Sequence, residues 1–241
     1  MKRFKFYLLL LAALPAVMIA KAQTAEEIIA KHIDAIGGKD KISQIKSIHT
    51  ESTLAVMGNE GASTSDLLVG KGYRSESEFN GQKVINAYTD KGGWMINPFA
   101  GGADAQPMPD ATYKASRDQL YVDGTLSNYS ARGGKVELQG RENVGTVSAY
   151  KIKETDPDST STLFYIDPTT YYVLKIVKNT QMNGQDMALT LTPSNYQKTD
   201  FGLVAPFAME MSFGEQFTLD YTIKKIEFNK DIDPKIFDMP K

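Results

Sequence analysis

The 241-residue chain has no cysteine, only two histidines and a single tryptophan. Without cysteine there is no disulfide framework, thiolate metal site, cysteine nucleophile or lipid-modified N-terminal Cys. His32 and His49 stand apart, and neither belongs to a pair spaced for metal binding. There is no G-x-S-x-G elbow. The glycine pairs at 37–38, 92–93, 101–102 and 133–134 do not form a phosphate-cradling loop, since Lys39 is followed by Asp40 rather than Ser or Thr. Asp156-Pro157-Asp158 and Asp231-Ile232-Asp233 miss the spacing of a calcium loop and read as solvated turns. With no nucleophile, acid–base pair or metal set to name, neither an enzyme nor a cofactor is expected.

Long hydrophobic runs are missing too, except at the start. Lys2, Arg3 and Lys5 precede the apolar run from Phe6 to Ala20, and Ala20-Lys21-Ala22 sets small residues before Gln23. That order predicts a secretory signal peptide over 1–22, the run being short for a membrane span of about 20 residues. One domain is expected over 23–241, exported and not lipid-anchored. Without the four basic residues of that leader, the chain's 27 basic side chains fall to 23 against 29 acidic ones. Such a balance argues against nucleic acid, which needs clustered Lys and Arg.

What the chain does have is alternation. Phe207, Met209, Met211 and Phe213 occupy every second position, and Phe217, Leu219, Tyr221 and Ile223 resume the pattern after Gly214-Glu215-Gln216. Period two puts these side chains on one face of a β-hairpin. At Lys224-Lys225 the phase slips by one residue, which predicts a β-bulge. Upstream, Thr24-Ala25-Glu26-Glu27 reads as a capping box opening a helix with Ile28, Ile29, His32, Ile33 and Ile36 on one stripe, ended by Gly37-Gly38. His32 is expected to be a packing residue. A short helix follows from Lys39 to Ile45, then strands from Ile48 through Trp94–Phe99. The Gly, Pro and Ala residues of 100–109 predict a loop, and Ala111 to about Tyr129 predicts a second helix. Strands follow from Lys135 to the end of the hairpin.

The expected architecture is α+β: a curved antiparallel sheet with short helices covering its concave face. Candidate ligand-cavity residues are the hairpin set Phe207, Met209, Met211, Phe213, Phe217, Leu219 and Tyr221. Met187 and Leu189 join them from the preceding strand, Tyr165 from an earlier one, and Trp94 and Ile96 at the rim, with Ala100–Tyr121 as a lid. Methionine adapts to irregular apolar partners. A sixteen-carbon acyl chain leaving water gains roughly 12 kcal/mol at ~0.8 per methylene. An exported, greasy-lined cup is therefore one reading. The other is a filled core in a non-catalytic envelope interaction or structural protein.

Several stretches also resemble one family. Thr89-Asp90-Lys91-Gly92-Gly93-Trp94-Met95-Ile96-Asn97-Pro98-Phe99 is similar to a turn followed by W-x-x-N-P-F. Tyr165-Ile166-Asp167-Pro168 is similar to an I-D-P turn, and Gly202–Pro206 to a late G-x-x-x-P step. Asn229 to Pro240 resembles a closing N-x-x-I-D…F-x-x-P. These signatures, spread over most of the chain, resemble the LolA/LolB-like lipoprotein-carrier superfamily, in particular the outer-membrane lipoprotein-sorting proteins of Bacteroidota type. The resemblance implies a LolA-like half-barrel whose cavity receives lipid or lipoprotein acyl chains. Its implied partners are an inner-membrane releasing transporter and an outer-membrane acceptor, with the carrier a monomer. One departure stands out: the family's Arg-Pro step, tied to lid closure, has Lys71-Gly72 as its nearest counterpart.

Overall fold

The computed structural model describes residues 23–100, 102–122, 126–182 and 185–240. The expected signal peptide lies outside them. The capping box forms as anticipated, with the Thr24 hydroxyl accepting from the Glu27 amide at 3.2 Å and the Glu27 carboxylate accepting from the Thr24 amide at 3.3 Å. It opens α1 (Ala25–Ala35), and α2 (Lys39–Ser43) follows. The strands then run β1 (Ser47–Val56), β2 (Asn59–Leu68), β3 (Gly72–Phe79), β4 (Gln82–Thr89), β5 (Gly92–Asn97) and β6 (Gly102–Pro107). Helix α3 (Asp110–Ser116) leads into a 3-10 turn, Arg117–Leu120. The second half holds β7 (Lys135–Val144), β8 (Val147–Thr155), β9 (Ser161–Ile166), β10 (Val173–Met182), β11 (Gln185–Lys198), β12 (Val204–Phe213) and β13 (Phe217–Phe228). A last 3-10 turn spans Pro234–Phe237.

All thirteen strands form one antiparallel, curved and unclosed sheet, ordered β6-β5-β4-β3-β2-β1-β13-β12-β11-β10-β9-β8-β7. Two meanders therefore meet where β1 pairs with β13, and the final hairpin sits in the middle. Gly214 takes φ +56° in its turn, and Phe213 stacks on Phe217 at 4.7 Å. The bulge falls where the phase slips: Glu51 pairs with Lys225 and Ser52 with Ile223, leaving Lys224 extra.

Two expectations fail here. Residues 102–107 are an edge strand rather than a loop, because β5 offers an unpaired edge and Pro107 sits at the strand's end, where its missing amide costs no ladder bond. The second helix stops at Ser116 and tightens into a 3-10 turn, with no side-chain cap at its start.

The degree of rolling follows from what this short segment touches. The Ala115 carbonyl accepts from Lys178 on β10, at 3.2 Å, while Leu120 packs on Tyr88 of β4. In a flat sheet β10 and β4 would be seven strand spacings apart, roughly 34 Å at ~4.8 Å each. Five helical residues reach only about 10 Å. The sheet must curl until its inner face is concave, with the segment spanning its opening.

Candidate ligand-binding face

Register fixes which side chains share the concave face. Starting from the residues under α1, Phe164 pairs with Ile176, Ile176 with Leu191 and Leu191 with Met211. The series continues through Leu219 and Val56, and on neighbouring pairs through Met209, Tyr221 and Leu54. Met187, Leu189, Phe213 and Phe217 lie on the same side by their pairings, and Phe207 by alternation with Met209. Nine of the proposed cavity residues thus share the inner face.

Three do not. Tyr165 lies opposite Lys151 and Lys175 on the outer face, with the Lys175 ammonium 3.9 Å from its ring. Trp94 also faces outward, in a cluster with Ile85 and Ala87, and Ile96 packs against that cluster. The Trp94 indole N–H donates to the Phe237 carbonyl at 2.8 Å, so this ring anchors the C-terminal 3-10 turn. A Cβ on nearby Gly72 would sit 2.5 Å from the Phe237 ring, which is why glycine stands beside Lys71. The rim residue that does face inward is Met95, paired with Asn86 and packed near Tyr88.

Helical cover is uneven. Ile28 and Ile29 of α1 pack with Ile152, Phe164, Ile166 and Leu126 over β8–β10. Ile36, Ile42, Ile45 and Leu203 close one end, where Phe228 stacks on Phe201 at 5.0 Å. His32 of α1 is buried, and its Nδ1 lies 2.7 Å from the Tyr171 carbonyl. Tyr88, Met108 and Leu120 form a third cluster under the 3-10 turn. None of these clusters contains Met187, Leu189, Met209, Met211, Phe213, Phe217 or Leu219, and each of the seven is only half-buried. They form an open apolar wall, not a closed chamber. The clefts beside α3, about 320 and 310 Å³, are instead lined by polar and charged groups such as Arg117, Arg132, Asp156 and Asp158.

Facing this wall, the inner side of β1–β4 sets a band of hydroxyls among apolar residues such as Leu54, Val56 and Leu67. Ser52 pairs with Ser63, Ser63 with Ser77, and Ser65 with Ser75. The Ser63 and Ser77 hydroxyls lie 2.8 Å apart. Tyr73 belongs to the same face and stacks on Tyr88 at 5.2 Å. Burial raises the Tyr73 pKa, opposed by hydrogen bonds with Ser65 and Ser75. The Tyr88 phenol is pushed well up, first by burial and then by the nearby Tyr73, Asp118 and Tyr221. Tyr221 is raised by burial and then by Tyr73. Three phenols from β3, β4 and β13 thus converge beneath the spanning segment.

That segment is fastened by charge. The buried Lys178 ammonium donates to the Asp118 carboxylate as well as to the Ala115 carbonyl. Arg117 holds Asp156 at 3.2 Å and Asp158 at 2.9 Å, so the acidic turn read as merely solvated is an ion-pair anchor. Arg132 adds Glu154 and Asp156, each at 2.9 Å. On the outer face His49, Glu51 and Glu227 bring donor atoms within 4.8 Å of one another. Lys225 already lies 3.1 Å from Glu227 and 3.7 Å from Glu51, with Lys230 3.2 Å from Glu227, so ammonium groups neutralise this cluster.

No known family model matches the chain, and no curated protein is related to it in sequence at a significant level. Solved structures do match. A LolA superfamily protein from Nitrosomonas europaea superposes with a TM-score of 0.57 at 13% identity, covering 90% of this chain and 98% of its own. The chain has a LolA-like fold. A DUF1329-family protein from Desulfovibrio piger gives 0.56 at 13% identity over 90% and 98%. A domain named for outer membrane lipoprotein sorting, from Vibrio parahaemolyticus, gives 0.54 at 13% identity over 88% and 95%. No helix among the described residues is long and apolar enough to cross a membrane.

Proposed function

We propose that the protein is a periplasmic carrier or binding protein for the acyl chains of lipids or lipoproteins. The observation that supports this is the half-buried apolar wall of β11–β13, which no helix among the described residues seals, within a LolA-like fold. A hydrocarbon tail laid along it would complete the burial of Met187, Leu189, Met209, Met211 and Leu219. Each methylene leaving water contributes about 0.8 kcal/mol, and thioether side chains adjust to different tails. In this reading an inner-membrane transporter loads the chain and an outer-membrane acceptor unloads it. Lys178 and Arg117, rather than an Arg-Pro step, would then govern how the spanning segment opens.

Native mass spectrometry of gently purified mature protein, paired with titration of a fluorescent fatty-acid probe, tests the proposal. The expected result is lipid adducts or saturable probe uptake, with Met211→Asp folded but defective in uptake. Absence of both adducts and uptake, with Met211→Asp unfolded, would instead point to a filled core and an envelope interaction protein.

A further inference from the structure

Among the described residues, two buried side-chain polar atoms have no hydrogen-bond partner: the Tyr88 hydroxyl and Asp118 Oδ1. Buried polar groups are nearly always paired, because an unpaired one forfeits its water at a cost of about 1–3 kcal/mol. Here both belong to one pole of the concave face. Tyr88 is 2% exposed, stacks on Tyr73 and packs on Leu120, two residues after Asp118. Asp118 uses its other oxygen on Lys178. Tyr88 is packed by Met108, Leu120 and Met95, and the hydroxyl beside it is that of Tyr73, itself held by Ser65 and Ser75.

We propose that this pole is a headgroup site, and that the ligand is an amphiphile whose head is uncharged and carries hydroxyl groups, as in a monoacylglycerol. The inference rests on the acyl-chain reading above and names the other end of the molecule. A hydroxyl has the chemistry both orphan atoms need. It donates to Asp118 Oδ1, which can only accept, and exchanges a hydrogen bond with the Tyr88 phenol, which does either. A free fatty acid is the wrong match. Its carboxylate would face the vacant Asp118 oxygen, and the Lys178 ammonium is engaged by Asp118 and the Ala115 carbonyl. The tail would extend toward Met209, Met211 and Leu219, which share the face through the Tyr221–Met209 and Leu219–Met211 pairs. With the Arg117–Leu120 turn in place both orphan atoms are covered, so the head enters as this turn lifts.

The experiment is displacement of a fluorescent acyl probe from the mature protein by monopalmitoylglycerol and by palmitate, each below its critical micelle concentration. Wild type is expected to prefer monopalmitoylglycerol by about tenfold, the value of one to two net hydrogen bonds. Tyr88→Phe keeps the ring and its stacking, and Asp118→Asn keeps a polar contact for Lys178. Each is expected to narrow the preference to threefold or less by weakening the glyceride, with Tyr88→Phe leaving palmitate unchanged. Equal affinity of wild type for both compounds overturns the headgroup site while leaving the carrier reading intact. So does a Tyr88→Phe protein that keeps the full preference, the orphan atoms then serving an ordered water. If neither compound displaces the probe because the probe never binds, the carrier reading falls and this inference with it.

Discussion

Strands β11–β13 and strands β1–β4 curl around the same hollow, yet only the second set breaks its apolar lining with a band of hydroxyls. The first set presents Met187, Leu189, Met209, Met211, Phe213, Phe217 and Leu219, all half-buried. The second breaks an apolar lining of Leu54, Val56 and Leu67 with Ser52, Ser63, Ser65, Ser75, Ser77 and Tyr73, which bond one another across the strands. On the outer side the contrast reverses. Behind β4 and β5 sits a dry cluster around Trp94, sealed by the C-terminal turn, while behind β8–β10 Tyr165 lies between lysines. One strand face is thus finished by packing within the chain and the other is left unfinished. The unfinished one is where a ligand has something to gain.

Substitutions can break this comparison. Trp94→Ala removes the indole from the outer cluster and frees the Phe237 anchor; a loss of about 3–5 kcal/mol is expected from urea unfolding. Lys178→Ala should rank next, at about 3 kcal/mol, because it strands the Asp118 carboxylate in a buried place. Hydrogen exchange would then quicken across residues 110–120 and leave the central strands protected. Met211→Ala should cost only about 1 kcal/mol, since its side chain is already partly exposed, while weakening acyl-probe binding severalfold. Ser63→Ala should cost a similar ~1 kcal/mol for one lost hydrogen bond, with no effect on the probe.

The smallest effect concerns acid. Glu76, on the outer face of β3, has its pKa lowered, chiefly by the Lys83 hydrogen bond with help from Arg74 and against burial. Its contribution is complete above the ordinary value near 4.5 and disappears as pH falls through the lowered one. Glu76→Gln should therefore flatten the acid limb of the stability curve below that pH, without altering ligand uptake at neutral pH.

Local rules carried much of the fold into view. The capping box, the Gly214 turn and the bulge at Lys224 each depend on residues adjacent in the chain, and each forms where the pattern places it. The inner apolar wall was legible because alternation in the final hairpin is uninterrupted. Trp94 and Tyr165 were assigned to the wrong face because both faces of their strands carry bulky side chains. Register carried from β1 to β5 sets Trp94 outward beside Ile85 and Ala87, where Phe237, 143 residues along, anchors its indole. The orphan pair of Tyr88 and Asp118, and the Lys178 clasp, join segments that meet only once the sheet has rolled. No spacing in the sequence encodes them.

The absence of native cysteine makes the central claim directly measurable. Single-cysteine proteins Met211→Cys and Ile96→Cys, each carrying an environment-sensitive fluorophore, report from the inner and the outer face respectively. On titration with monopalmitoylglycerol, the account predicts a saturable emission change at position 211 and none at position 96. No change at 211, or equal changes at both, would contradict it.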